Sequence, residues 1–340
     1  MTLNLFYAEP EGDRWLPLDR YPRRLIRRIV RGKRRPGGQE RVFLDLMAGL
    51  DRLKAPYRVN DYRHARRHPE ELCCVLGKRQ VLDDEPWRNP LLVGPCIHDH
   101  PIDDPALFTR RRVRRILVPG PWMRRMCEPY WGNVVHDWPV GIDTDRWAPA
   151  ANAPKSVDFI LYNKIRWDHA HREATLLQPI RAELARRGLS CVEMKYGSYA
   201  PPDFQRNLAR ARAMIFVCEH ETQGLAYQQA LASGVPLLAW DHGGEWLDPN
   251  YHPQRVRFGP ISSVPYWDGR CGEKFATAAE FPSSLERFAA RQRSDGFAPR
   301  QYILDHLTLE KCAAAFVAHA GAAAAAPDAA PAPNPSSVTP

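Results

Sequence analysis

Cys218–Trp240 reads CEHETQGLAYQQALASGVPLLAW, and the way this stretch divides decides the fold. The apolar run before it, Met214–Val217, suits a buried strand. That run breaks into a polar turn carrying Glu219, Glu221 and Gly224. An Ala- and Gln-rich segment from about Gln223 to Ser233 predicts a helix, which Gly234 stops. Val235–Pro236 turns the chain, and Leu237–Trp240 gives a second buried strand. The unit is therefore βαβ, with an acidic side chain and a glycine where the helix begins. A helix start offers free N–H groups and positive dipole, which suits an anionic, hydroxyl-rich ligand.

Outward from this unit, 340 residues allow two domains of ordinary size. With 44% hydrophobic and 26% charged residues the composition is globular. No window reaches the ~18 uninterrupted apolar residues of a membrane-spanning helix. The start, MTLNLFYAEPEGDRW, lacks a basic region followed by an apolar core, so a cytoplasmic location is expected. The eight cysteines are scattered without a C-x-x-C pair, which argues against a structural zinc site or a disulfide framework.

The net charge of +9 comes mainly from arginine. Its densest run is YPRRLIRRIVRGKRRPGG, residues 21–38, within a basic insertion at 20–36 that follows a first strand at Leu3–Tyr7. Leu25, Ile26, Ile29 and Val30 fall at helical spacing among Arg23, Arg24, Arg27, Arg28 and Arg31. Two readings stand: a basic helix packed on its own domain through the aliphatic residues, or one lying on an anionic membrane surface. No nucleic-acid partner is expected, because no aromatic stacking platform accompanies the charge.

Gly37–Gly38 opens a helix whose Phe43, Leu46, Met47, Leu50 and Leu53 share one face. The glycine pair serves either as a loop hinge or as a place where backbone meets a ligand without an intervening Cβ. Short strands follow at Leu72–Leu76, Leu91–Val93 and Ile116–Val118. The loop GPCIHDHPIDD, residues 94–104, holds His98, Asp99, His100, Asp103 and Asp104. These side chains could ligate a metal, but the loop has no familiar ligand spacing. A loop at the carboxyl end of a parallel strand, facing a cleft, is the preferred reading.

The second half opens with the apolar run Val157–Tyr162 and the polar NKIRWDHAHRE, residues 163–173. A helix at Leu176–Arg187, a strand at Cys191–Tyr196 and a helix at Pro202–Ala213 lead into the opening unit. Residues 247–275 show no clear periodicity. Phe281–Arg293 and Leu307–Ala320 read as helices, and the Ala/Pro-rich 321–340 as a disordered tail.

Cys218–Trp240 resembles the sugar-nucleotide site of GT-B glycosyltransferases, especially the retaining family 4 group. Glu221 stands at that signature's first Glu, Gly224–Leu225 at its link, and Ala232–Pro236 at its A-x-G-x-P turn. Eight positions after Glu221 the chain has Gln229 where the family has a second Glu. VGIDTDRWAP, residues 140–149, resembles the family's crossover segment, so Asp143 and Asp145 read as linker.

The resemblance implies an α/β chain of GT-B architecture, with two Rossmann-like doubly wound domains facing across a cleft. The first covers 1–150 on the acceptor side. The second covers 151–320 on the donor side, its last helix returning to the first. The implied activity is metal-independent sugar transfer from a nucleoside-diphosphate sugar to a glycan or lipid-linked acceptor, with retention and no cofactor. Glu221 and His98 (or His100) would then meet the donor sugar or diphosphate. Lys164 and Arg166, with Arg172 as a third candidate, would hold the diphosphate. Gln223, Gly224, Leu225 and Gln229 would complete the donor site, and Gly37 and Gly38 would form a phosphate or acceptor loop. Two alternatives stand beside this one: a nucleotide-sugar epimerase on the same fold, and a non-catalytic binding protein.

Overall fold

A computed structural model describes residues 1–9, 36–150 and 153–329. Most of the basic stretch 21–38 falls outside them. The chain forms two compact units: Met1–Pro119, Arg124–Val140 and the segment from Cys312 onward make unit 1, and Gly120–Met123 with Gly141–Lys311 makes unit 2.

Unit 1 is built on six strands: β1 (Leu3–Phe6), β2 (Tyr57–Val59), β3 (Cys73–Val75), β4 (Leu91–Val93), β5 (Val113–Val118) and β6 (Val135–Asp137). All pair in parallel, in the order β2-β1-β3-β4-β5-β6. Unit 2 holds β7 (Val157–Lys164), β8 (Cys191–Lys195), β9 (Ala211–Cys218), β10 (Leu237–Trp240) and β11 (Gly272–Phe275). These too are all parallel, in the order β11-β10-β9-β7-β8. The fold class is α/β with two Rossmann-like sheets.

Parallel strands covered by helices on both faces are buried on both, so their sequences are apolar without alternation. Strand β9 is buried at every position except Arg212, and β10 at all four. Side chains of Phe159, Leu161, Ile215 and Val217 pack against Ile180, Leu184, Leu285 and Phe288 from the covering helices. Each such side chain, fully buried, contributes about 1.5–3 kcal/mol before chain entropy is set against it. The edge strand β8 is open on most positions and carries Glu193 and Lys195, charges that discourage pairing with another chain. Helix α1 (Gly38–Arg52) buries Val42, Phe43, Leu46 and Leu50 along one stripe, as its periodicity predicts.

Several elements differ from the sequence reading. It does not include β2, β6 or the helix Tyr62–Arg67, and Ala211–Ala213, which it takes as the end of a helix, begin β9. Within 247–275 the last four residues form β11, a short strand with polar Glu273 and Lys274 that shows no apolar signal. Pro299–His306 is a helix of its own before the terminal helix Leu309–Ala325. That terminal helix runs five residues into the stretch read as a disordered tail. Alanine is the best helix former, and Ala320 and Ala323 are buried along with Phe316. Trp138 Nε1 donates to the Cys312 carbonyl at 2.9 Å, and Arg114 Nη1 to that of Ala324 at 2.9 Å. Both bonds fix the terminal helix within unit 1.

From Gly141 onward the crossover segment lies in unit 2. Arg300 Nη1 donates to the carbonyls of Thr144, Trp147 and Ala232 at 3.2, 3.3 and 2.7 Å. Asp143 Oδ1 accepts from the amides of Asp145 and Arg146 at 3.2 Å each, the behaviour of a turn residue. Among the described residues no helix is long and apolar enough to cross a membrane.

Candidate functional site

In unit 2 the chain first goes from β7 to β8 on one side and then returns to place β9 on the other side of β7. Connections leaving the carboxyl ends of β7 and β9 therefore diverge. Open α/β sheets bind ligands at such a switch point, beyond the carboxyl ends of the strands. Lys164 ends β7 and pairs in register with Cys218, which ends β9. The opening stretch thus begins at the switch point.

Two carboxylates leave β9 with different tasks. Glu219, 2% exposed, accepts from the Arg166 amide at 3.0 and 3.1 Å and from the Trp167 amide at 3.2 Å. It shapes the loop after β7. Glu221 Oε1 lies 2.5 Å from Lys164 Nζ, and both side chains are largely buried. Burial by itself would lower the Lys164 pKa, but the Glu221 carboxylate outweighs it and the net shift is upward. The ammonium is therefore charged at neutral pH, with the Tyr196 ring 4.5 Å away. Glu221 is also fixed through its backbone: its amide donates to the Ser262 carbonyl at 3.0 Å, and its carbonyl accepts from Trp122 Nε1 at 2.7 Å.

Gly224 caps the helix Leu225–Ala232 at φ +77°, where a Cβ would lie 1.9 Å from the Tyr227 ring. Only glycine fits there. No side chain caps this helix start. Gln228 is fully buried and donates from Nε2 to the Gln223 carbonyl at 2.6 Å, which ties the turn to the helix. Gln223 is itself buried, whereas Leu225, Ala226 and Gln229 form the partly exposed stripe of the helix. Gln229 is accessible one turn beyond Leu225.

The other cations are more open. Arg166 is exposed, its guanidinium 4.8 Å from the Trp167 ring. Arg172 lies 5.2 Å from the ring of Trp240. Between the two carboxylates, His220 sits among the rings of Trp167 and Trp122 at 5.3 and 5.5 Å. Burial, reinforced by Arg166, Lys164 and His242, pushes its pKa down to about 3. It is neutral at pH 7. His242 accepts from the Gly244 amide at Nδ1, so its proton is on Nε2, which donates to the Glu219 carbonyl at 3.0 Å. Burial likewise lowers the His242 pKa.

The structure therefore brings Lys164, Glu221 and the Gly224 turn together in unit 2, with Arg166 on the adjoining loop. Sequence reasoning passed over Glu219 as a shaping residue, and over His220, His242 and Trp122. Their partners lie on other segments, and nothing in local spacing shows those bonds.

In unit 1 the sequence reading puts His98 or His100 on a ligand, but the structure buries both imidazoles. The His98 side chain is 2% exposed, neither ring nitrogen has a hydrogen bond among the described residues, and Asp104 Oδ2 lies 3.9 Å from Nε2. Burial lowers its pKa, against an opposing pull from Asp104. His100 accepts from the Ile102 amide at 3.2 Å and so caps a turn. Gly37 has an ordinary φ of −68°, and a Cβ at Gly37 or Gly38 would meet nothing within 4 Å among the described residues. The described protein packing does not demand glycine at either position.

No protein-family model and no curated protein matches the sequence. Among solved structures, the chain is similar to AviGT4, a glycosyltransferase involved in avilamycin A biosynthesis. The TM-score is 0.59 at 14% identity, over 95% of this chain and 98% of that one. It is also similar to WaaB, a lipopolysaccharide outer core galactosyltransferase, with a TM-score of 0.51 at 10% identity over 94% and 99%. Identities this low establish the fold alone. That fold is GT-B, as the resemblance of Cys218–Trp240 implies.

Proposed function

We propose that the protein is a glycosyltransferase that moves a sugar from a nucleoside-diphosphate sugar to a glycan or lipid-linked acceptor, with retention. The observation that carries this reading is the Lys164–Glu221 pair at the switch point between β7 and β9. A departing nucleoside diphosphate gathers negative charge, and a fixed cation at that place stabilises it without reorganisation. Lys164 is charged and held; Arg166 adds an exposed second cation that can approach the phosphates. Glu221 accepts hydrogen bonds from the sugar hydroxyls. The Gly224–Leu225 helix start turns its N–H groups to ligand oxygens, with Gln223 beside them. Gln229 accepts a ribose hydroxyl with a neutral amide, a bond about half as strong as one to a carboxylate.

In the transfer, the bond from the anomeric carbon to the leaving phosphate breaks as the acceptor oxygen bonds to that carbon from the same face. The acceptor proton passes to the leaving phosphate. Gly37 and Gly38 would offer backbone contact, and His98, whose ring nitrogens have no hydrogen-bond partner among the described residues, would offer an imidazole. The enzyme would act in the cytoplasm, and the arginines in the sequence of residues 21–38 suit an anionic membrane surface.

Purified protein should release nucleoside diphosphate slowly from at least one of a panel of UDP-, GDP- and ADP-sugars, and Glu221→Ala should abolish the release. Absence of turnover across a full donor and acceptor panel would overturn the catalytic reading and leave a binding protein on the same fold.

A further inference from the structure

Away from the carboxyl ends of the strands, the helix Tyr62–Arg67 and the residues after it read YRHARRHPEE. His64 and His68 are four residues apart, the spacing that sets two side chains on one side of a helix. Their rings lie 4.3 Å apart between centroids. His64 Nε2 is 2.9 Å from Glu71 Oε2, and His68 Nδ1 is 3.5 Å from Glu70 Oε1. One ligand atom each from His68, Glu70 and Glu71 lies within 4.8 Å of the others.

We propose that His64, His68, Glu70 and Glu71 form a binding site for a divalent transition ion of the zinc class. Ligands around a tetrahedral zinc, each about 2.0–2.2 Å from the ion, are separated by about 3.3 Å. Within the two His–Glu pairs the 2.9 and 3.5 Å separations bracket that value; His68, Glu70 and Glu71 already converge within 4.8 Å, and His64 joins them through Glu71. Two imidazoles and two carboxylates suit zinc and its neighbours rather than magnesium, which prefers oxygen alone. The two carboxylates also balance the charge of the ion.

The backbone that carries these ligands is fixed by buried side chains. Asn89, 3% exposed, donates from one amide nitrogen to the carbonyls of Ala65, His68 and Glu71 at 3.2, 2.8 and 3.1 Å. Asn4 on β1, also 3% exposed, donates to Glu71 Oε2 at 3.0 Å and to the Leu72 carbonyl at 3.2 Å. Such outer partners orient a ligand before the ion arrives. Ligation through His64 Nε2 moves the imidazole proton to Nδ1, and Glu71 exchanges its bond from His64 for one to the ion.

The location gives the role. Glu70 and Glu71 precede β3, so the site lies at the amino end of the strand, opposite the end where such sheets bind substrate. The ion would clasp the helix Tyr62–Arg67 to β3 and stabilise unit 1 without entering the reaction.

The full chain, carrying Cys191→Ser to remove the exposed thiol, is stripped with a chelator and titrated with Zn2+ against a chromogenic zinc indicator. One equivalent should bind, Mg2+ should not compete, and the melting temperature should rise with Zn2+. The double variant H64Q/H68Q should lose at least about 100-fold in affinity together with the melting shift, whereas Asn4→Ala, which removes no ligand, should lose about tenfold. Undiminished Zn2+ affinity in H64Q/H68Q would overturn the proposal, as would failure of the parent chain to bind submillimolar Zn2+.

Discussion

At the scale of single residues, the turn after β9 separates three neighbouring side chains by what each faces. Glu219 meets amides, His220 meets indoles and Glu221 meets an ammonium. The histidine contributes to the behaviour in acid. Its folded pKa of about 3 lies below the ordinary value of about 6.5, so the unfolded chain takes up the proton first. The stability that its neutral form provides is complete above about pH 6.5 and falls away as pH drops toward 3. One such group changes stability by up to about 1.4 kcal/mol per pH unit. Replacing His220 by Phe keeps a ring among the indoles and removes the proton site. Urea unfolding at about pH 7 and about pH 5 should show a smaller loss in His220→Phe than in the parent. An equal loss would mean that other groups carry the acid sensitivity. His319 in unit 1, pushed down to about 4 by burial and by Arg115, should still titrate in the variant.

At the scale of elements, the glycines at the starts of two helices make opposite predictions. Gly224 needs its positive φ and has the Tyr227 ring where a Cβ would go. Gly224→Ala should lower stability by about 1–3 kcal/mol and loosen the start of the helix. Among the described residues nothing lies where a Cβ at Gly37 or Gly38 would go, so alanine there should leave stability unchanged or raise it by about 0.4–1 kcal/mol. If those glycines admit a ligand, the alanine variants should lose donor or acceptor turnover while melting no earlier. Melting curves beside product-release assays separate the two cases. The same elements show what was legible in the sequence. Apolar runs and glycine stops located the helix Leu225–Ala232 and β10 to within two residues, and the end of β9 to within one, but its first three residues, Ala211–Ala213, read as the end of the preceding helix. The polar edge strand β11 carried no such signal, and Pro299–His306 was hidden by a mixed pattern with buried Tyr302 and Ile303. Of the candidate site, Glu221 and Lys164 were readable from their positions around the strands. Their 2.5 Å approach was not, because it depends on β7 and β9 pairing across 57 residues of sequence. The histidine pair at 64 and 68 was in plain spacing, but its carboxylate partners are assembled by the turn into β3.

At the scale of the molecule, each unit draws on distant parts of the chain. Unit 1 takes its last helix from the segment after Cys312, and Phe316 there is fully buried, with its ring 5.2 Å from Trp138. Phe316→Ala should cost about 3–5 kcal/mol, the range for emptying an aromatic site in a core. Hydrogen exchange should show the loss in strands β5 and β6 and leave β7, β9 and β10 protected to their usual degree. Equal loss of protection in both sheets would show that the units do not unfold separately.

Unit 2 also depends on a distant contribution, in Gly120–Met123. Trp122 supplies the indole that holds the Glu221 carbonyl and one wall around His220. Contiguity in sequence and completeness in space therefore part company at this site. A fragment spanning 141–311 would carry Lys164, Arg166, Glu221 and Gln229, and it would still lack the side chain that fixes Glu221 from behind.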